Sequence, residues 1–219
     1  MSLTTVDSGL ISSGAITLTT QVKGTLPVAN GGRGVTTSTG TGAVVLGTSP
    51  SISGAVLTTM ASSVITSGTA QNSTSGTSID FTGIPSWVKR VTVMFNGVST
   101  NGVSIRQTQL GSGSFTTTGY TSSGFGWTGG TNGTSSTTGI IFDGQPPLAA
   151  TNYNAVMTIN SFGNNIWVAS SLIAATTGTT QQYMSTGAIT LSGALDRIRI
   201  TTVNGIDTFD AGSINILYE

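Results

Sequence analysis

The sequence predicts an all-β chain: an extended Gly/Thr/Ser-rich N-terminal stem followed by an antiparallel β-sandwich of jelly-roll type. Three observations lead there. Apolar and polar residues alternate over many short runs, the period of half-buried strands, and no helical periodicity of useful length accompanies them. Every Trp, Tyr and Phe lies beyond Ile79, so only the second part of the chain holds the large side chains from which a packed core is built. Charged residues make up only 6% of the 219 residues, with seven basic and seven acidic side chains cancelling. A small domain with so little charge lacks the repulsion that keeps monomers apart, so much of its surface is expected to face other protein.

Taken in order, residues 1–70 are Thr, Ser, Gly and small aliphatics without one aromatic. Such a segment cannot bury enough surface alone and reads as a stem held by neighbouring chains or by a docking surface. Short Gly-opened echoes run through it: Gly14-Ala15-Ile16-Thr17-Leu18-Thr19 returns as Gly187-Ala188-Ile189-Thr190-Leu191-Ser192, with relatives at Gly42 to Gly47 and Gly54 to Thr58. These read as short strands or as low-complexity β drift. Leu57 to Ile65 lacks Gly and Pro and is the one stretch that could form a short helix.

Residues 71–219 form the sandwich. Strands are predicted at Thr77 to Phe81, Val88 to Phe95, Val103 to Leu110, Ile140 to Phe142, Ala155 to Phe162, Ile166 to Ala174, Ile198 to Val203 and Ser213 to Tyr218. A turn at Gly83-Ile84-Pro85 follows the first. Asn-Gly, the strongest short hairpin signal, occurs at Asn96, Asn101, Asn132 and Asn204. Trp87, Phe95, Phe142 and Phe162 lie in or beside alternating runs and are expected in the core. Tyr120, Phe125 and Trp127 lie in an irregular Gly/Ser-rich stretch, Gly119 to Trp127, and are the first receptor-contact candidates, because loop aromatics stack on sugar faces. Their alternative use is to plug a trimer interface or to cover the core. Tyr183, between Gly178 and Gly187, is a second candidate of the same kind.

Composition also excludes chemistry. Without Cys there are no disulfides or thiolate metal sites, and without His the usual general base and commonest metal ligand are gone. Lys89-Arg90, Arg197 and Arg199 are too few to grip nucleic acid. The N-terminus lacks the pattern of a signal peptide, and no run of about 18 apolar residues could span a membrane. The carboxylates are Asp7, Asp80, Asp143, Asp196, Asp207, Asp210 and Glu219. Asp207 and Asp210 are the only close pair, the minimum for a glycosidase, but the commoner use is to cap a turn before the final strand. Calcium wants six to eight oxygen ligands, so Asp density argues against a metal site. Gly31-Gly32-Arg33-Gly34 lacks the Gly-Lys-Ser/Thr ending of a phosphate loop. No cofactor is expected.

The segment Gly24-Thr25-Leu26-Pro27-Val28-Ala29-Asn30-Gly31-Gly32-Arg33-Gly34-Val35-Thr36-Thr37 resembles an element of bacteriophage tail fibre and collar-like proteins, with Arg33 where Thr is more usual. The resemblance covers roughly residues 24 to 52; the text from Ile79 to Glu219 also looks like that of virion-associated phage proteins. It implies a homotrimer, an N-terminal part that attaches to other tail or baseplate proteins of the virion, and a C-terminal part that contacts a host surface glycan or protein. Assembly would take place in the cytoplasm of the bacterial host. Pro27 fixes its backbone while Gly31, Gly32 and Gly34 permit sharp bends, so these residues are the candidate attachment turn. A fully extended stem of about 65 residues would reach at most roughly 200 Å. The alternative functions are a purely architectural virion subunit (collar, baseplate or head decoration) and a glycan-degrading tip enzyme.

Overall fold

A computed structural model describes residues 65–127, 131–176 and 181–219, apart from the side chains of Trp127, Thr131 and Asn132. The chain divides into two units, Met1–Leu57 and Thr58–Glu219, and all the described residues belong to the second. The stem up to residue 64, with its turn residues Pro27, Gly31, Gly32 and Gly34 and nearly all of the possible helix at Leu57 to Ile65, therefore lies outside the described residues.

Among the described residues there is no helix. The strands are β1 (Thr66–Ser67), β2 (Gln71–Asn72), β3 (Ser78–Thr82), β4 (Arg90–Thr100), β5 (Arg106–Ser112), β6 (Ser114–Phe115), β7 (Thr121–Trp127), β8 (Thr131–Ser136), β9 (Ile140–Ile141), β10 (Tyr153–Gly163), β11 (Ile166–Ala175), β12 (Gln182–Thr190), β13 (Arg197–Thr202) and β14 (Phe209–Tyr218). They form two antiparallel sheets. The larger, nine-stranded, runs β1-β14-β4-β10-β11-β12-β7-β8 with β2 also on β14; the smaller, five-stranded, runs β3-β13-β5-β6 with β9 also on β5. Because β1 pairs with β14, the larger sheet takes in residues ahead of position 71, where the sequence starts the sandwich.

Period-2 alternation explains the packing. Inward residues of both sheets merge into one core: Ile79, Phe81, Leu110, Ile198 and Ile200 from the smaller sheet meet Val91, Val93, Phe95, Met157, Ile159, Trp167, Ile173 and Ile216 from the larger. Phe95 and Phe142 touch edge to face at 4.5 Å. Two expected core aromatics are corrected. Phe162 lies at the end of β10 beside the hairpin, where the sheet has nothing above it, and is exposed; Trp87 is partly exposed and leans on Tyr218, with ring centroids 6.0 Å apart.

Turn chemistry departs from expectation at Asn96-Gly97. Instead of a hairpin, Gly97 (φ 62°) makes a bulge inside β4, where the register to β10 shifts between Tyr153 and Ala155. Its N–H donates to Asn154 Oδ1 at 2.8 Å. A two-residue hairpin instead joins β10 and β11, turned by Asn164 and Asn165 with φ of 50° and 59°. Two consecutive left-handed residues fit the turn whose twist matches that of the strands, and Asn tolerates that conformation better than most residues.

Candidate interaction face

The Gly/Ser-rich stretch expected to be an irregular loop is strand β7. Its glycines face inward because nothing larger fits: a Cβ on Gly124 would come within 2.8 Å of Asp143 O, and one on Gly126 within 2.7 Å of the Tyr183 ring. Phe125, between them, must therefore point outward.

Register then assembles an outer face on the larger sheet. Met94 lies opposite Val156, Val156 opposite Leu172, Leu172 opposite Met184, and Met184 opposite Phe125. Side chains directly opposite on one face are in contact range, so these residues make a continuous apolar row across β4, β10, β11, β12 and β7. Val156, Leu172, Met184 and Phe125 are 50%, 60%, 62% and 39% exposed. Alongside runs a hydroxyl row, Thr92, Thr158, Ser170, Thr186, Ser123 and Ser135, in the same register. Beyond it come Arg90, Asn160, Val168, Ala188 and Thr121; on the other side of the apolar row stand Asn154, Ala174, Gln182 and Trp127. Of the charged side chains among the described residues only Arg90 stands in these rows, and it is ion-paired with Glu219. An open groove of about 480 Å³ lies at the hydroxyl end, lined by Thr121, Ser123, Ser135, Val168, Thr186 and Ala188 among others.

Of the four aromatics expected at a receptor, Phe125 is on this face and Trp127 closes the same strand, its side chain outside the described residues. Tyr120 and Tyr183 are corrected: both are core residues, 1% and 0% exposed. The Tyr120 hydroxyl accepts from Leu110 N–H at 2.7 Å and donates to Thr116 O at 2.9 Å, tying down the excursion around β6. Burial pushes its phenol up to about 12, against the lowering effect of the Leu110 bond. Burial, then the nearby Tyr153 phenol, push Tyr183 up to about 12 as well.

Beneath the face lies a buried ion pair. Arg106 donates to Asp143 through Nη2 at 2.6 Å and Nε at 3.1 Å, and its backbone N–H adds a bond of 2.9 Å. The Arg106 guanidinium also stands 4.0 Å from the centre of the Tyr153 ring. A buried carboxylate needs such bonds to remain charged, and here they fix β5 to the Asp143 segment behind β7.

A second exposed apolar group, missed in the sequence, sits on two loops. Val103, Val203 and Ile206 are solvent-exposed, and the loops are tied together by Asp207. Its carboxylate accepts from Ser104 N–H at 2.9 Å and from Asn204 Nδ2 at 2.7 Å. Val203 N–H donates to Ile105 O at 2.8 Å. Asp210, the other member of the candidate catalytic pair, accepts from Ser99 Oγ. Both carboxylates are thus engaged in holding loops and strand ends. Among the described residues no three carboxylates gather as metal ligands, and no helix is long and apolar enough to cross a membrane. No protein-family model, curated protein or solved structure matches the chain.

Proposed function

We propose that the chain is a structural subunit of a bacteriophage tail fibre: a homotrimer whose N-terminal segment attaches to the virion and whose C-terminal domain meets the host cell surface, without catalysis. The observation that carries this reading is the broad face of the larger sheet, which bears a continuous exposed apolar row and almost no charge and so belongs against protein rather than water. The resemblance at Gly24 to Thr37 supplies the virion as the setting. Host contact then falls to the loop pair bearing Val103, Val203 and Ile206, a rigidly held apolar tip of the kind that binding loops present from a β scaffold. Its partner is a host surface protein or glycan.

The full chain, labelled at its N-terminus and offered to a panel of bacterial strains, should stain at least one. Ile206→Asp should remove the staining without changing the assembly mass. A trimer that stains no strain would favour the architectural virion subunit, for which the apolar face serves equally well. Release of reducing sugar from the polysaccharide of a stained strain would overturn the non-catalytic reading, and Asp207→Asn would then test the carboxylate pair.

A further inference from the structure

We infer that a groove on the outer face of the smaller sheet is a binding site for a neutral saccharide. The groove adjoins the loop pair proposed for host contact; the inference deepens that reading and rests on it for its biological setting alone. Its volume is about 340 Å³, near the lower end of the range of small-molecule sites. Register builds the floor. Thr201 of β13 lies opposite Ser78 of β3 and Gln107 of β5, and Arg199 lies opposite Gln109. Side chains directly opposite share one face, so hydroxyls, amides and a guanidinium gather there. Thr117 and Thr138 wall the β5 side, and Val203 and Gly205 wall one end. Every residue of β5 from Arg106 to Gly111 is buried. This strand is therefore covered on its outer side as well, which gives the groove its depth.

The polar groups of the floor are only part-used. Gln107 is 2% exposed and accepts from Thr138 Oγ1 at 2.9 Å. Its amide N–H reaches Thr202 O only at 3.5 Å, the outer limit of a hydrogen bond, and that oxygen already accepts from Gly205 N–H at 3.1 Å. A buried amide so weakly satisfied gains from a better acceptor. Gln109 donates to Thr138 O at 2.9 Å, which commits its Nε2 to the wall and keeps Oε1 as an acceptor. Thr201 donates to Thr77 O at 2.8 Å, so its oxygen also remains to accept. A donor beside two acceptors matches ligand hydroxyls, which do both. Charge narrows the class further. Among the described lining residues Arg199 is the only charged one, and its Nε and Nη2 are both given to Asp80. A phosphate or carboxylate finds no unpaired cation here. A peptide strand finds no open backbone either, since β13 is paired on both sides, to β3 and β5. Val203, 45% exposed, offers an apolar contact to the C–H face of a sugar ring. Its turn is held in advance by the bond from Thr202 Oγ1 to Asn204 Oδ1 at 2.8 Å, which lowers the ordering cost of binding.

Saturation-transfer NMR on the full-length protein tests this, with glucose, galactose, mannose, rhamnose and N-acetylglucosamine at millimolar concentration and glucuronic acid as the charged comparison. At least one neutral sugar should bind. Gln109→Met keeps the length of the side chain but loses its amide, and should weaken that binding about tenfold. Because Gln109 is buried, Thr117→Trp provides the second arm: the position is an exposed part of the rim, so the ring fills the groove without entering the core and should abolish binding. Val156→Thr, on the other sheet, should change nothing. Binding that survives both groove variants, a preference for glucuronic acid, or no binding by any neutral sugar overturns the assignment. Bacterial staining that persists in Thr117→Trp while no sugar binds wild type leaves host contact at the loops standing and this groove refuted. A neutral sugar held in the groove by a chain that stains no strain supports the groove and removes the host-contact reading.

Discussion

On the outer face of the smaller sheet, Arg199 grips Asp80 through two bonds of 2.8 and 2.7 Å, and its guanidinium lies 4.1 Å from the centre of the Phe115 ring. Arg197 pairs with Asp196 beside it, and holds that carboxyl below its usual range. On the larger sheet the corresponding outward positions are Met94, Val156, Leu172, Met184 and Phe125. Both sheets alternate with the same period and share one core, so alternation alone does not say which outer face is wet. What distinguishes them is where a chain with so few charges spends them. The smaller sheet is finished as a solvent-facing surface, its aromatic ring covered by arginine. The larger keeps an apolar row open to solvent.

The largest expected effect lies between the two faces, at the buried ion pair. Asp143→Asn keeps the shape of the side chain but leaves Arg106 charged and without its counter-ion, a change that typically costs about 3–5 kcal/mol. The shift of the urea midpoint measures it, and a loss well under about 1 kcal/mol would mean that Arg106 reaches water. Next comes a direct contrast of inner and outer neighbours on β10. Met157 is fully buried and Val156 half-exposed. Met157→Ala should cost about 2–5 kcal/mol through lost contacts and a cavity. Val156→Thr should change the stability of the isolated chain by no more than about 0.5 kcal/mol. Near-equal costs would mean that the outer row is covered even at the lowest concentrations measured.

Alkaline pH probes the inner side of β7 and β12. Tyr120 and Tyr183 hold their protons in the fold up to about 12, against 10.0 for a free phenol. A raised pKa on an acid means that the folded chain binds the proton more tightly than the unfolded one. The contribution is therefore complete below pH 10 and is lost as pH rises from 10 through 12, at about 1.4 kcal/mol per pH unit for each tyrosine. Urea midpoints at stepped alkaline pH should fall with that slope, and Tyr120→Phe should remove its share. Equal slopes for wild type and variant would place Tyr120 in contact with solvent.

Much of the sandwich was legible because alternation is local. Val91, Val93 and Phe95, or Ile198 and Ile200, reveal their strand and their buried side without reference to any partner. β7 was not legible, because Gly124 and Gly126 are there for the close approach of Asp143 and Tyr183, which sequence spacing does not display; the same glycines read as an irregular loop. Tyr183 failed for the related reason that the inward positions that follow it on β12, Ser185 and Gly187, are small, so no alternating apolar run marks its side. The bulge at Asn96-Gly97 shows that positive φ can be used within a strand as well as between two. The apolar row was beyond reach altogether, since Met94, Phe125, Val156, Leu172 and Met184 become neighbours only through strand register.

The smallest expected effect belongs to the finished face. Arg199 and Asp80 are each about one-third exposed, so their pair is partly screened, and pairs of this kind contribute about 0.2–1 kcal/mol. Arg199→Ala should therefore shift the midpoint slightly at low salt, and less as added salt shortens the range of the charge interaction. The part that survives high salt reports the packing of the guanidinium on Phe115, because a flat apolar contact is not screened. Arg199→Lys separates the two: it keeps the charge but loses both the two-pronged grip on Asp80 and the stacking plane, so it should recover less than half of what alanine loses. Full recovery by lysine would make simple charge, rather than shape, the feature that distinguishes this face from its bare counterpart.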